Sequence, residues 1–167
     1  FGLIYGTSAF GLAQNLKISR KEAAEIIDSY WEEFPAVKQF MDAKVNEARD
    51  KEYVETILGR RRYLRDINSR NAIIRGHAER NAVNAPIQGS AADMIKVAMI
   101  NVHAWMKKEK LKSKMILTVH DELVFDAHKD ELELLKIKIP EFMSNAIPLE
   151  VPLDVSIGFG ENWLEAH

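Results

Sequence analysis

Ala23, Ile26, Ile27, Tyr30 and Phe34 recur at the 3.6-residue period, and Val37, Phe40, Met41, Val45 and Ala48 repeat it beyond Pro35. The pattern predicts two amphipathic helices with these stripes turned to the core. The first should start near Ser19, because Ser19-Arg-Lys-Glu22 has the spacing at which a serine hydroxyl and a glutamate satisfy each other's backbone amides. Pro35 ends it, and the second runs to about Lys51.

Further along, the period switches to two. Tyr53-Val-Glu-Thr-Ile-Leu58 and Arg60-Arg-Arg-Tyr-Leu64 flank Gly59, which reads as two short extended segments around a glycine bend. The three consecutive arginines then alternate between faces. Residues 70–84 look helical, and Pro86 suits the first turn of a new helix. Ile87, Ala91, Met94, Ile95, Ala98, Val102 and Trp105 form that helix's stripe, making it the longest of the chain. Met115-Ile-Leu-Thr-Val119 and Leu123-Val-Phe-Asp-Ala127 are strand-like runs joined by His120-Asp121-Glu122, a hairpin with a charged tip. A helix from about Asp130 to Asn145 follows. Val151, Leu153, Val155 and Ile157 alternate within residues 149–159 and predict a further strand. The sum is an α+β architecture, a small antiparallel sheet with helices packed on it.

Composition narrows the chemistry. The chain has 167 residues, 47% of them hydrophobic, which suffices for a core. No apolar run is long enough for a membrane span and no secretory signal is visible, so a cytoplasmic setting is expected. With no cysteine, a metal must be held by Asp, Glu, His or water. Charge is segregated: residues 59–80 carry seven arginines against two carboxylates, a net of +5, whereas the stretch from His120 onward nets -8. Such a division suits a protein that grips a polyanion with one surface and holds cations with another, although solvated faces also produce it. Five lysines between residues 107 and 114 sit at a helix end, where they complement the dipole.

Three groups of residues could carry chemistry. Adjacent carboxylates at Asp121 and Glu122 repel unless a cation is near, and magnesium sites in phosphoryl transfer use one or two carboxylates plus substrate phosphates. A plain polar turn is the alternative. Phe1 and Tyr5 stand four apart if the opening residues are helical, beside Gly2 and Gly6, and could stack on a base or simply belong to a core. Arg80, Asn84 and Gln88 recur every fourth residue and can donate hydrogen bonds to base edges and sugars, or can be a solvated face.

Taken in order, these segments resemble bacterial-type family A DNA polymerases. Phe1-Gly-Leu-Ile-Tyr-Gly6 is similar to the second half of that family's fingers-helix motif. Asn84-Ala-Pro-Ile-Gln-Gly-Ser-Ala-Ala-Asp93 resembles the palm segment that touches the primer-template minor groove, and Val119-His-Asp-Glu122 resembles the third motif, on the palm hairpin. Gly59-Arg-Arg-Arg-Tyr63 and Gly158-Phe-Gly-Glu-Asn-Trp163 also match. The resemblance covers essentially the whole chain, with a fingers portion over about residues 1–80 and a palm portion over about 81–167.

It implies that Asp121 is a ligand of a catalytic Mg2+ pair, with Glu122 in a supporting catalytic role. It places His120 at the primer terminus, Tyr5 by the templating base and Phe1 at the sugar of the incoming nucleotide. Arg80, Asn84 and Gln88 would read duplex shape, which is possible because minor-groove acceptors lie at similar places in every correct pair. The implied partners are primer-template DNA, deoxynucleoside triphosphates and the remainder of the polymerase chain, and no membrane. The family's other metal-binding Asp lies upstream of the fingers helix and is absent here. The chain by itself is therefore expected to bind DNA weakly and not to polymerise. The competing reading is a DNA-binding module without catalysis. A His-Asp metal phosphohydrolase fits poorly, because its further His ligands are missing and His120-Asp121 lies between strands.

Overall fold

Two serines open the first helices by the same device. In the computed structural model, which describes residues 2–4 and 6–166, helix α1 spans Ala9–Leu16 and Ser8 Oγ accepts from the Gly11 amide at 3.2 Å. Helix α2, Arg20–Glu33, has the full capping box: Ser19 Oγ accepts from the Glu22 amide and Glu22 accepts from the Ser19 amide. Pro35 both stops α2 and occupies the first turn of α3, Pro35–Lys51, where its missing amide costs nothing. The opening residues differ from a helix. Gly6 donates to Leu3 and Thr7 to Gly2 in hydrogen-bonded turns, and regular helix begins only at Ala9. Phe1 and Tyr5 lie outside the described residues.

The chain packs as two units, Phe1–Ser90 and Ala91–His167. In the first, strands β1 (Tyr53–Glu55) and β2 (Arg61–Tyr63) pair antiparallel, with Glu55 opposite Arg61, and Gly59 takes φ 78° at the bend. Its core joins Ala48, Val54, Leu64, Ile67, Ala78 and Ala82. Helix α4 then runs unbroken from Ala72 to Lys108, so Pro86 lies inside a helix of 37 residues and does not start a new one. The proline forfeits one backbone bond. Packing decides otherwise: Ala82, Val83 and Pro86 are all buried, and Ser90 Oγ donates to the Pro86 carbonyl one turn on.

In the second unit, β3 (Lys114–Val119) and β4 (Glu122–Asp126) form a hairpin with an irregular register between Met115 and Leu117. A single 3-10 turn, Lys129–Glu131, leads into α5, Leu132–Ser144, and α6 is the short Trp163–Ala166. Val102, Met106, Leu135 and Ile139 form the core, with Met115, Phe125 and Phe142 against it. The class is α+β as expected, its antiparallel pairing divided between two hairpins.

Two expectations about packing fail. No strand forms over residues 149–159 among the described residues, and Val151 is 71% exposed. Alternation makes a strand only where another edge supplies donors and acceptors, and none of the described residues does so here. The stripes are also less buried than predicted: Ala23, Ala48, Ala98 and Val102 are inside, whereas Ile26, Phe34, Phe40, Ile87 and Ala91 are exposed.

One carboxylate ties the second unit's loops together. Glu131 accepts from the Lys112 and Ser113 amides and from Ser113 Oγ, and Ser113 Oγ in turn accepts from the His128 amide. The backbone donors at Lys112, then the Ser113 hydroxyl and amide, hold Glu131 down at about 2 from its ordinary 4.5. A lowered carboxylate contributes stability that is complete above the unfolded value and is lost as pH falls through the folded one. Protection of the Lys112 and Ser113 amides from hydrogen exchange should therefore hold above pH 4.5 and fade toward pH 2. In Glu131→Gln it should be weaker at neutral pH and lack this titration.

Candidate functional site

The column Arg80, Asn84 and Gln88 stands on consecutive turns of α4 within the first unit, so the helical period does bring these three side chains to one face. Arg80 and Gln88 are exposed. Arg80 Nη2 donates to His77 Nδ1 at 2.8 Å, and its stem passes Gly6, where an added Cβ would lie 3.4 Å from Arg80 Cγ. The glycine of the opening motif thus lies against the head of the column. Asn84 is half-buried, and its Oδ1 is the one buried side-chain polar atom without a hydrogen-bond partner among the described residues. A buried acceptor left without a partner is rare, whereas the exposed donors of Arg80 and Gln88 remain open to solvent.

The arginine block is more committed than its charge suggests. Arg61 pairs with Glu55 at 2.8 Å and lies over the Tyr53 ring, Arg75 lies 3.6 Å from Glu79, and Arg60 Nη2 donates to the Gly89 carbonyl at 3.0 Å. Arg62 reaches Asn81 at 3.4 Å. Alternation explains the division, since Arg61 shares one face of the hairpin with Glu55 of β1, whereas Arg62 in β2 and Arg60 just before it reach α4. Arg65 and Arg70 are exposed and make no side-chain bond among the described residues, and Arg62 and Arg80 have only neutral partners.

At the other candidate position the tip is tighter than three residues. Val119 pairs with Glu122, which belongs to β4, and only His120 and Asp121 form the turn. His120 takes φ 52°, a left-handed conformation that few side chains other than Gly, Asn, Asp and His adopt readily. Asp121 is exposed and its carboxylate has no hydrogen bond or ion pair among the described residues. Glu122 is half-buried. No three His, Asp or Glu side chains cluster as a metal cage among the described residues.

Sequence reading missed four residues that brace the helical face: Thr56, Ile57, Gly89 and Ser90. The Ile57 amide donates to Ser90 Oγ at 2.9 Å across 33 positions, and only the glycine within an otherwise helical run signalled a close approach.

A family model for DNA polymerase family A matches residues 1–165, and the chain belongs to that family. Among its relatives, the DNA polymerase I of Bacillus caldotenax is 55% identical and that of Bacillus subtilis (strain 168) 51% identical, each over 166 residues. Both alignments take in 99% of this chain and 19% of the relative, so the chain spans about a fifth of their length. A solved structure, the POL domain of Pol1 from M. smegmatis in complex with DNA primer-template and dNTP, matches with a TM-score of 0.95 and 50% identity over 99% of this chain and 29% of that one.

Proposed function

We propose that this chain is part of a DNA-directed DNA polymerase, which joins a primer 3′-hydroxyl to the α-phosphate of a deoxynucleoside triphosphate under the direction of a template. The family A match across residues 1–165 carries the reading. Residues from about 1–80 would belong to the fingers and those from about 81–167 to the palm. These substrates imply a cytoplasmic setting; no described helix is long and apolar enough to cross a membrane.

Asp121 is assigned the metal. An exposed carboxylate without a protein partner suits Mg2+, which keeps several waters and takes few protein oxygens alongside substrate phosphates. When bound, the metal stabilises charge on the attacking and leaving oxygens. Glu122 supports it from the first position of β4. His120 is assigned to the primer terminus, next to the carboxylate in the same turn. Phe1 and Tyr5 are assigned to the nucleotide and templating base. Arg80, Asn84 and Gln88 would donate to minor-groove acceptors, testing pair geometry without selecting a sequence.

The runner-up, a DNA-binding module without catalysis, is separated by Asp121→Asn in the complete polymerase, assayed in parallel for primer-template affinity and for extension. Phosphate contact has its own test. Replacing Arg65 and Arg70 by Ala should lower the slope of log affinity against log salt by about 2, measured between about 50 and 200 mM. An unchanged slope would remove both from the DNA surface.

A further inference from the structure

Gly89 sits inside α4, where glycine is the poorest non-proline helix former and alanine the best. The reason for it lies across the first unit. A Cβ at Gly89 would meet Thr56 Cγ2 at 2.6 Å. Thr56 cannot easily turn away, because it is tied three times to the bend of its hairpin. Its amide donates to the Arg60 carbonyl at 3.0 Å, its carbonyl accepts from Gly59 at 2.9 Å, and its hydroxyl accepts from the Arg60 amide at 3.1 Å. Two further bonds fasten this bend to the same turn of helix: Arg60 Nη2 to the Gly89 carbonyl at 3.0 Å, and the Ile57 amide to Ser90 Oγ at 2.9 Å. The fastened turn adjoins Gln88, follows Asn84 and lies just beyond Pro86, whose missing amide leaves the preceding turn one backbone bond short.

We infer that the bend over residues 56–60 is a positioning clamp, seated on Gly89 and Ser90, that sets where Asn84 and Gln88 present their amides to the duplex. Thr56, Arg60, Gly89 and Ser90 are positioning residues that act through that pair. Helices kink at proline, and a bend fastened to the turn beyond Pro86 holds the backbone there in one arrangement. The inference rests on the proposed DNA-facing role of the column.

The test is single-nucleotide extension by the complete polymerase from matched and mismatched primer ends, with the melting temperature of each variant measured alongside. Gly89→Ala should lower matched extension by between about ten- and a hundredfold, the scale on which small displacements of positioned groups act. It should also narrow the ratio of matched to mismatched extension. Thr56→Ser removes the clashing methyl and keeps the hydroxyl for the Arg60 amide, so it should behave as the parent alone and restore Gly89→Ala in combination. Gly89→Ala at parental rate and ratio, or a loss that Thr56→Ser fails to restore, overturns the clamp. Gln88→Ala separates the two layers: a narrowed ratio there with an unaffected Gly89→Ala sinks the clamp alone, whereas an unchanged ratio in Gln88→Ala sinks the DNA-facing role and the clamp with it. Should Gly89→Ala not fold, Ser90→Ala removes the acceptor of the Ile57 amide, and its ratio decides, narrowed in favour and unchanged against.

Discussion

Asp121→Asn is expected to reduce primer extension by the complete polymerase by about a thousandfold, because a metal-stabilised transition state is worth several kcal/mol and about 4 of them make that factor. Affinity for primer-template should stay essentially unchanged. The substitution is nearly isosteric, and asparagine is as suited to a turn as aspartate, so the hairpin keeps its register. What disappears is the negative charge of an exposed carboxylate that nothing among the described residues shares. Extension near the parental rate would take Asp121 out of catalysis and leave the binding-module reading in possession of the DNA surface. Loss of extension together with loss of binding would point to a broken hairpin, which circular dichroism and melting would reveal.

Ile67→Ala should produce the largest loss of stability in the first unit, about 2–5 kcal/mol. Ile67 is fully buried and is one of the few large side chains in a core otherwise rich in alanines, where Ala48, Ala78 and Ala82 let α3 and α4 come close to the β1–β2 hairpin. A cavity at that point has small neighbours that cannot grow into it. Hydrogen exchange gives the local readout: the Leu64 amide, which donates to the Glu52 carbonyl at 2.7 Å, should lose most of its protection. Protection equal to the parent's would mean that Ile67 does not hold the hairpin down. Since the same hairpin carries Thr56 and Arg60, the variant should also perturb the clamp.

Short-range signals in this sequence carry over directly into structure. The Ser19–Glu22 box, Pro35, the Gly59 bend and the two hairpins each depend on a few neighbouring residues and are present, the second hairpin with a turn one residue shorter than expected. Pro86 misled because its local cost is real and the packing that outweighs it comes from residues distant in sequence. The run over 149–159 misled for the converse reason, since an alternating pattern states that a strand could form and says nothing about a partner edge. The candidate site divides in the same way. Asp121 and the Arg80, Asn84 and Gln88 column were visible as residue types at a spacing, whereas the partners that occupy Arg60 and Arg61, and the bolt at Gly89, emerge only once the chain is folded.

The two-residue turn at His120 and Asp121 has a consequence for how this chain can change. Surface loops ordinarily absorb insertions and deletions at little cost. Here the turn itself holds the proposed ligand, and side chains of the following strand alternate by twos. One added residue would either lengthen the turn and displace the carboxylate or slide β4 and exchange its inner and outer faces. On the proposed role of Asp121, length at this point should be fixed even though the surface is open, and a tag, loop graft or barcode placed here should be poorly tolerated.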